Sequence, residues 1–352
     1  IGLHLLLSAG RQNALRMNLY SNIKTQIALK LIDDSEPRVI VGRTTLTIDD
    51  LPGRGLIKLD EPELFQTALP AAGEDTLQII DAIQGEVQAM DAHWTGPRPE
   101  GIPMMPEVFT FEDFRKMASA KRQIESKKAL PLGLDFEDVQ SVPWNYQGNL
   151  LYGYGKVQQG EAFAKQTLAI LKEQTHTVLL LDTGNSSLQA EYEDLNVVAT
   201  TKEDHIELIR AIEDKLTQRQ QEYQKAQANN PALAPQEFTR SIAPIIVILN
   251  DFPKIVSGLD PQSQSTLAEL YGKGPEKGIY LLTIADAYEL GKGYDEASKA
   301  AKRSEEAVLR IRLNDQTYMT VNNKSYKEEN LKEDEAYSIV GGIAYRIQVG
   351  RN

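Results

Sequence analysis

The chain has 352 residues, with 38 Lys and Arg against 50 Asp and Glu, a formal net charge of −12, no Cys and four His. Without thiols it makes no disulfide and no thiolate, and His4, His93, His176 and His205 are too scattered for metal-ligand spacing. The acidic excess argues against nucleic acid as a partner, because duplex affinity comes from Lys and Arg on phosphates, and the longest apolar run, Ile242–Leu249, is far short of the ~20 residues that cross a bilayer.

Length alone points to about two domains. The chain opens on Ile1-Gly-Leu-His-Leu-Leu-Leu, strand-like but lacking the basic flank and cleavage site of a signal peptide, and reads as a chain entered mid-domain, a piece of something larger. Three segments then recur in the same order: Gly2–Ala9 with Gly278–Ala285, Ala28–Asp34 with Arg310–Gln316, and Pro52–Ile57 with Val340–Tyr345. The expected organisation is therefore residues 1–92 as the C-terminal part of one domain, 93–128 as a linker carrying the Pro-rich run Gly96–Pro106, and 129–352 as a complete second copy. Thr76–Met90, with Leu77, Ile80, Ile83 and Val87 on one face, predicts an amphipathic helix packed on its own domain. Phe109, Phe111 and Phe114 are candidate anchors of the linker to a neighbouring domain.

The second copy alternates strand and helix. Gly148–Tyr152 enters a Gly-containing turn and a helix through Leu171; Thr177–Asp182 is a strand; a long helix starts near Lys202, with Ile206, Ile209, Ile212 and Leu216 on one face and Thr200 and Glu203 as its capping box. The strand Ile245–Leu249, a helix near Ser263–Tyr271 and the strand Ile279–Ile284 follow. Near-continuous apolar strands between helices mean a parallel sheet covered on both faces, an α/β layout of nucleotide-binding type. The layout by itself assigns no function. Glu191–Asp194 and Lys327–Glu335 read as solvated charged faces, and Gln218–Gln227 as a polar helix end.

The candidate chemistry begins at Leu150-Leu-Tyr-Gly153-Tyr-Gly155-Lys156-Val157. A P-loop needs glycines to turn backbone N–H groups toward phosphate, a Lys for the β and γ phosphates, and a hydroxyl for Mg²⁺. Gly153, Gly155 and Lys156 stand in the right place, between a strand and a helix, but Leu150 takes the first Gly position and Val157 cannot ligate a cation. The apolar strand Ile245–Leu249 ends in Asn250-Asp251, where an ATPase carries an Asp for Mg²⁺ and an acid to orient water. Both elements are in position and altered in chemistry, which describes a nucleotide-binding fold that has lost or nearly lost hydrolysis; the plainer alternative is a Gly-rich turn and a strand-ending turn. No catalytic residue and no metal ligand is assigned.

Ser8–Arg38, Val41-Gly-Arg43, Pro52–Gln66 and Leu130–Asp135 together resemble the ATPase domains of the FtsK/SpoIIIE family, and more closely the membrane-anchored coupling ATPases of the type VII secretion system of Gram-positive bacteria. The resemblance covers essentially the whole chain. It implies a RecA/FtsK-like P-loop NTPase fold, with the tail of a penultimate ATPase domain preceding the last one, on the cytoplasmic face of the bacterial cell membrane. It also implies WXG100-family secreted proteins as partners of the last domain, other ATPase domains of the same chain as neighbours, a homo-hexamer for the full-length protein, and ATP with Mg²⁺ as cofactors, weak or absent here. Arg38 and Arg43 match the family's Asp-Ser-x-x-Arg and Gly-Arg pattern and become candidate intersubunit arginines. The expected function is substrate recognition by a last domain with weak or no hydrolysis. The alternatives are an active ATP-hydrolysing motor domain and, less supported, a DNA translocase.

Overall fold

In the computed structural model, which describes residues 5–11, 14–97, 103–184 and 186–351, the chain divides into two units, Ile1–Glu100 and Gly101–Asn352.

The first unit holds α1 (Met17–Tyr20), β1 (Gln26–Leu29), α2 (Glu36–Val41), β2 (Arg54–Lys58), β3 (Pro62–Gln66) and α3 (Thr76–His93). Its three strands form an antiparallel meander around a small cluster of Ala28, Val41, Ile48 and Leu56. Gly53 takes φ 78°, the left-handed turn that a side chain would strain before β2. Asp75 caps α3, its Oδ1 accepting from the Gln78 amide at 2.9 Å. The expectation that this helix packs on its own domain is not met: none of its residues is buried, and Leu77, Ile80, Val87 and Met90 are exposed. Of the run Gly2–Ala9, residues 1–4 lie outside the described residues, and Leu5–Ala9 carry no strand.

The second unit starts earlier than the sequence implies. Within the expected linker, α4 (Phe111–Lys116) and α5 (Ala118–Ser126) are ordered helices, the first closed by a Thr110/Asp113 capping box. Phe109 and Phe114 are buried with Ala120 and Leu134, and the Phe111 amide donates to the Arg351 carbonyl at 2.8 Å. The phenylalanines therefore anchor the segment to the second unit itself. Next come β4 (Leu130–Asp135), β5 (Ser141–Trp144), β6 (Leu150–Tyr154), α6 (Val157–Gln174), β7 (Thr177–Leu181), β8 (Val197–Ala199), α7 (Lys202–Asn229), α8 (Pro235–Ser241) and β9 (Ile245–Asn250). The chain closes with α9 (Phe252–Gly258), α10 (Pro261–Lys273), β10 (Ile279–Asp286), α11 (Ala287–Lys292), α12 (Glu296–Ala301), β11 (Glu306–Leu309), β12 (Glu335–Val340) and β13 (Ile343–Gln348).

Among the described residues, the ten strands of this unit share one sheet, ordered β5-β4-β13-β12-β11-β6-β10-β9-β7-β8. The stretch from β11 to β8 is parallel, and β12, β13, β4 and β5 add an antiparallel flank. The expected parallel sheet is thus a mixed one. Alternation along each parallel strand splits the core: Ile245, Val247 and Leu249 face α7, α9 and α10, while Ile246 and Ile248 face α6. The capping box of α7 lies one residue beyond its expected place, on Thr201 and Asp204, because Thr201 is the residue with extended backbone whose Oγ1 reaches the Asp204 amide at 3.2 Å.

The repeat survives in topology more than in register. The meander β11-β12-β13 repeats β1-β2-β3, but Pro52–Ile57 runs into the middle strand of its meander, whereas Val340–Tyr345 forms the Gly341-Gly342 turn between the second and third. Arg310–Gln316 lies beyond β11, while Ala28 and Leu29 lie within β1.

Buried Asn149 ties the sheet to its cover: Nδ2 donates to the Tyr271 carbonyl at 2.8 Å and Oδ1 accepts from the Leu281 amide at 2.9 Å. Asn149→Ala leaves both backbone groups without a partner and is expected to cost about 1–3 kcal/mol in chemical denaturation.

Candidate functional site

The C-terminal ends of β6, β7, β9 and β10 lie side by side, the edge at which parallel α/β sheets usually bind ligands. Two residues connect β6 to α6. Neither Gly153 nor Gly155 adopts positive φ, so the loop does not curl into the succession of inward N–H groups that grips a phosphate. Gly153 instead gives Leu309 room, since a Cβ there would lie 2.7 Å from Leu309 Cδ2; one on Gly155 would lie 2.8 Å from Ile311 Cγ2.

The helix start is satisfied from within. Gln159 Oε1 accepts from the amides of both Gly155 and Lys156, each at 3.2 Å. The two donors that would meet an anion thus meet a carboxamide of the first helical turn. Lys156 is extended and exposed, its Nζ 4.0 Å from Glu333 Oε1, and Val157 is exposed beside it. The Tyr154 ring lies over Gly160, where a Cβ would come within 2.5 Å of it. Burial, then the nearby carboxylates of Asp251 and Asp286, push the Tyr154 phenol up and keep it neutral.

Asn250 is buried and turned toward the neighbouring strand end, its Nδ2 donating to Asp182 Oδ1 at 2.9 Å. Asp182 is fully buried; it also accepts from the Thr183 amide at 2.8 Å and from the hydroxyls of Ser186 and Tyr192. Its main-chain carbonyl accepts from His205 Nε2 at 2.8 Å. Burial and then the Asp182 bond push the Tyr192 phenol up to about 12, so it remains a donor. Asp251 follows in the left-handed conformation, φ 59° and ψ 48°, paired with Lys254. Asp286 caps α11, Oδ1 accepting from the Tyr288 amide at 2.9 Å and the Glu289 amide at 3.0 Å.

The six predicted residues therefore sit on one edge of the sheet without converging as a Mg²⁺-nucleotide site. The amides of Gly155 and Lys156 are occupied by Gln159, the Val157 side chain has no oxygen, Asn250 is committed to Asp182, and Asp251 is paired with Lys254. This donor set does not fit Mg²⁺. Sequence reading missed Gln159 and Asp182. Gln159, three residues past Lys156, is the third residue of a capping-box spacing, and Asp182 ends an apolar strand just as Asn250 does. Arg38 lies in the middle of α2 and Arg43 just beyond its end, after Gly42, whose φ is 101°; both are exposed.

No family model matches the chain. It is 25% identical over 355 residues to the ESX secretion system protein EccC of Geobacillus thermodenitrificans, covering 99% of this chain and 23% of that protein. It is 26% identical over 352 residues to the type VII secretion system protein EssC of Staphylococcus aureus, covering 99% and 22% respectively. The chain thus spans less than a quarter of these relatives, and over nearly its whole length it is similar to the EssC/EccC secretion ATPases, as the sequence implied. Among solved structures, ATPases 2 and 3 of Geobacillus thermodenitrificans EssC superpose with TM-score 0.69 at 24% identity, covering 97% of this chain and 63% of that one. The Thermomonospora curvata EccC ATPases 2 and 3 in complex with a signal sequence peptide superpose with TM-score 0.52 at 20% identity, covering 96% and 60%. The conjugation coupling protein TcpA with ATPγS gives TM-score 0.53 at 12% identity, covering 88% of each chain. These likenesses place the fold among P-loop ATPases.

Asn250→Asp would set a second carboxylate against Asp182 at the end of β9. The variant is expected to lose about 1–3 kcal/mol of stability, because the amide that donates to buried Asp182 is replaced by a second acceptor; urea melts of the two proteins check this.

Proposed function

We propose that the second unit is a substrate-docking domain of a type VII secretion motor, receiving WXG100-type proteins and hydrolysing ATP weakly or not at all. The observation that carries this reading is Gln159 bridging the amides of Gly155 and Lys156, which pairs two donors of the P-loop position within the protein. Similarity to EccC and EssC along 99% of the chain supports the secretion context. The related EccC structure in complex with a signal sequence peptide supports peptide recognition by this fold.

In the same reading the first unit is the C-terminal part of a penultimate ATPase domain, the whole assembly works at the cytoplasmic face of the membrane, and the full-length protein forms a homo-hexamer. Arg38 and Arg43 would then be presented to a neighbouring subunit. Their exposure suits groups that act across a subunit boundary, since a guanidinium stays charged and grips phosphate with a fixed fork. Substrate affinity would come from apolar anchors and register from charge.

Calorimetric titration of the 352-residue chain with ATP, with and without Mg²⁺, is expected to give no saturable heat, and Lys156→Ala is expected to match the unaltered chain. Saturable ATP binding that disappears in Lys156→Ala would make the second unit a nucleotide site, and turnover on top of it would make the unit a motor.

A further inference from the structure

At the opposite edge of the sheet, where β6, β9, β10 and β11 begin, the second unit holds a cavity of about 700 Å³. That volume lies within the usual range of ligand pockets, roughly 300–1,000 Å³. Its walls mix polar and charged groups with an apolar side formed by Tyr146, Tyr280, Ile242 and the rings of Pro235, Pro244 and Pro275. Tyr280 is buried on β10, and Tyr146 is held by its hydroxyl donating to Gln174 Oε1 at 2.6 Å.

Into this cavity opens Glu306, the first residue of β11, in register with Leu150 of β6 and Val340 of β12. It is half-buried, and no ion pair reaches it among the described residues. The charged groups lining the same cavity are Glu305 on its own chain segment, Glu276 before β10, Lys127 and Lys128 before β4, and Arg240 on α8. Glu276 is paired with Lys277 at 3.6 Å, and Lys127 Nζ donates to Thr175 Oγ1 at 3.2 Å. Burial and then Glu305 push the Glu306 carboxyl up to about 7, with no Lys or Arg offsetting them. An acid kept in this recess without an ion-pair partner among the described residues is a poor choice for stability and a good one for recognising a cation that brings an apolar stem.

We propose that this cavity binds a peptide segment by taking one of its Lys or Arg side chains between Tyr146 and Tyr280 onto Glu306. The methylene stem packs on the proline and tyrosine walls, and Arg240 and Lys128 donate to main-chain carbonyls of the segment at the cavity rim. This specifies the ligand chemistry of the docking domain and rests on the reading that the second unit receives protein substrates.

The test uses the 352-residue chain and two capped dipeptides, acetyl-Leu-Arg-amide and its reversed-charge counterpart acetyl-Leu-Glu-amide, followed by backbone amide shifts and calorimetry. The arginine probe is expected to shift the amides of Thr239, Tyr280 and Glu306 and to bind about tenfold more weakly at pH 6 than at pH 8, because Glu306 is mostly protonated at the lower pH. Glu306→Gln is expected to weaken it by roughly tenfold or more and to abolish the pH dependence, while melting at the same temperature as the unaltered chain or higher, since a buried acid is gone. Equal binding of the two probes, no shifts at millimolar arginine probe, or an unchanged affinity in a folded Glu306→Gln would each overturn the proposal. A WXG100-type substrate that binds the unaltered chain and Glu306→Gln alike leaves the docking reading standing and removes this one. Cavity binding of the arginine probe without any substrate binding does the reverse.

Discussion

The first turn of a helix that follows a parallel strand offers backbone N–H groups with no intrahelical acceptor, and something must accept from them. In an ATPase of this fold the acceptor is phosphate; here it is the side chain of Gln159. With the connection between β6 and α6 reduced to two residues and its amides already paired, Tyr154 can fold down over Gly160 and Gly153 can close against Leu309. The strand end is thereby packed against the helix start, with Lys156 and Val157 left exposed beside it. A paired amide is worth about as much here as one bound to water, so nothing is lost in stability by closing it.

The two edges of the sheet thus exchange their usual roles. At the C-terminal edge Asp182, Asn250 and Asp286 are each engaged by neighbouring donors or acceptors, and the acidic character of Asp251 and Asp286 opposes an incoming polyphosphate. At the N-terminal edge a cavity remains open, with an acid that makes no ion pair among the described residues. Desolvation of a charge is tolerated where a partner arrives later, and this is the physical asymmetry that separates a structural carboxylate such as Asp182 from a recognition group such as Glu306.

The alternation of apolar strands with helices in the second unit was legible because period-2 burial on both faces leaves an uninterrupted hydrophobic run; Ile245–Leu249 and Ile279–Ile284 are such runs. The antiparallel flank was not, since β12 and β13 mix exposed and buried residues and are defined by pairing across the sheet. Phe109 and Phe114 were visible as apolar residues in a linker, but which surface they cover is set by Ala120 and Leu134, a tertiary choice that spacing cannot fix. The candidate site was legible in position and opaque in contacts. That Val157 and Asn250 lack catalytic oxygens follows from residue type, whereas the bond from Asn250 to Asp182 needs two strand ends to be neighbours, and the capture of the loop amides needs Gln159 to turn back on its own helix start.

The departures from an ATPase also support one another physically. A charged Asp at position 250 would be stable beside buried Asp182 only with a cation between them, and a chain without a hydroxyl at position 157 has lost a ligand for that cation. Neutral Asn250 removes the charge and supplies a donor to Asp182, so the buried carboxylate is satisfied with no metal. Gln159 likewise satisfies the amides with no phosphate. Each of these residues is compatible with the others, so placing an Asp at 250 or a hydroxyl at 157 alone introduces an unpaired charge or a competing acceptor. A Mg²⁺ site at this edge would require coordinated change at Val157, Gln159 and Asn250, because the Val157 side chain has no oxygen and the other two now make contacts that need no cation or phosphate.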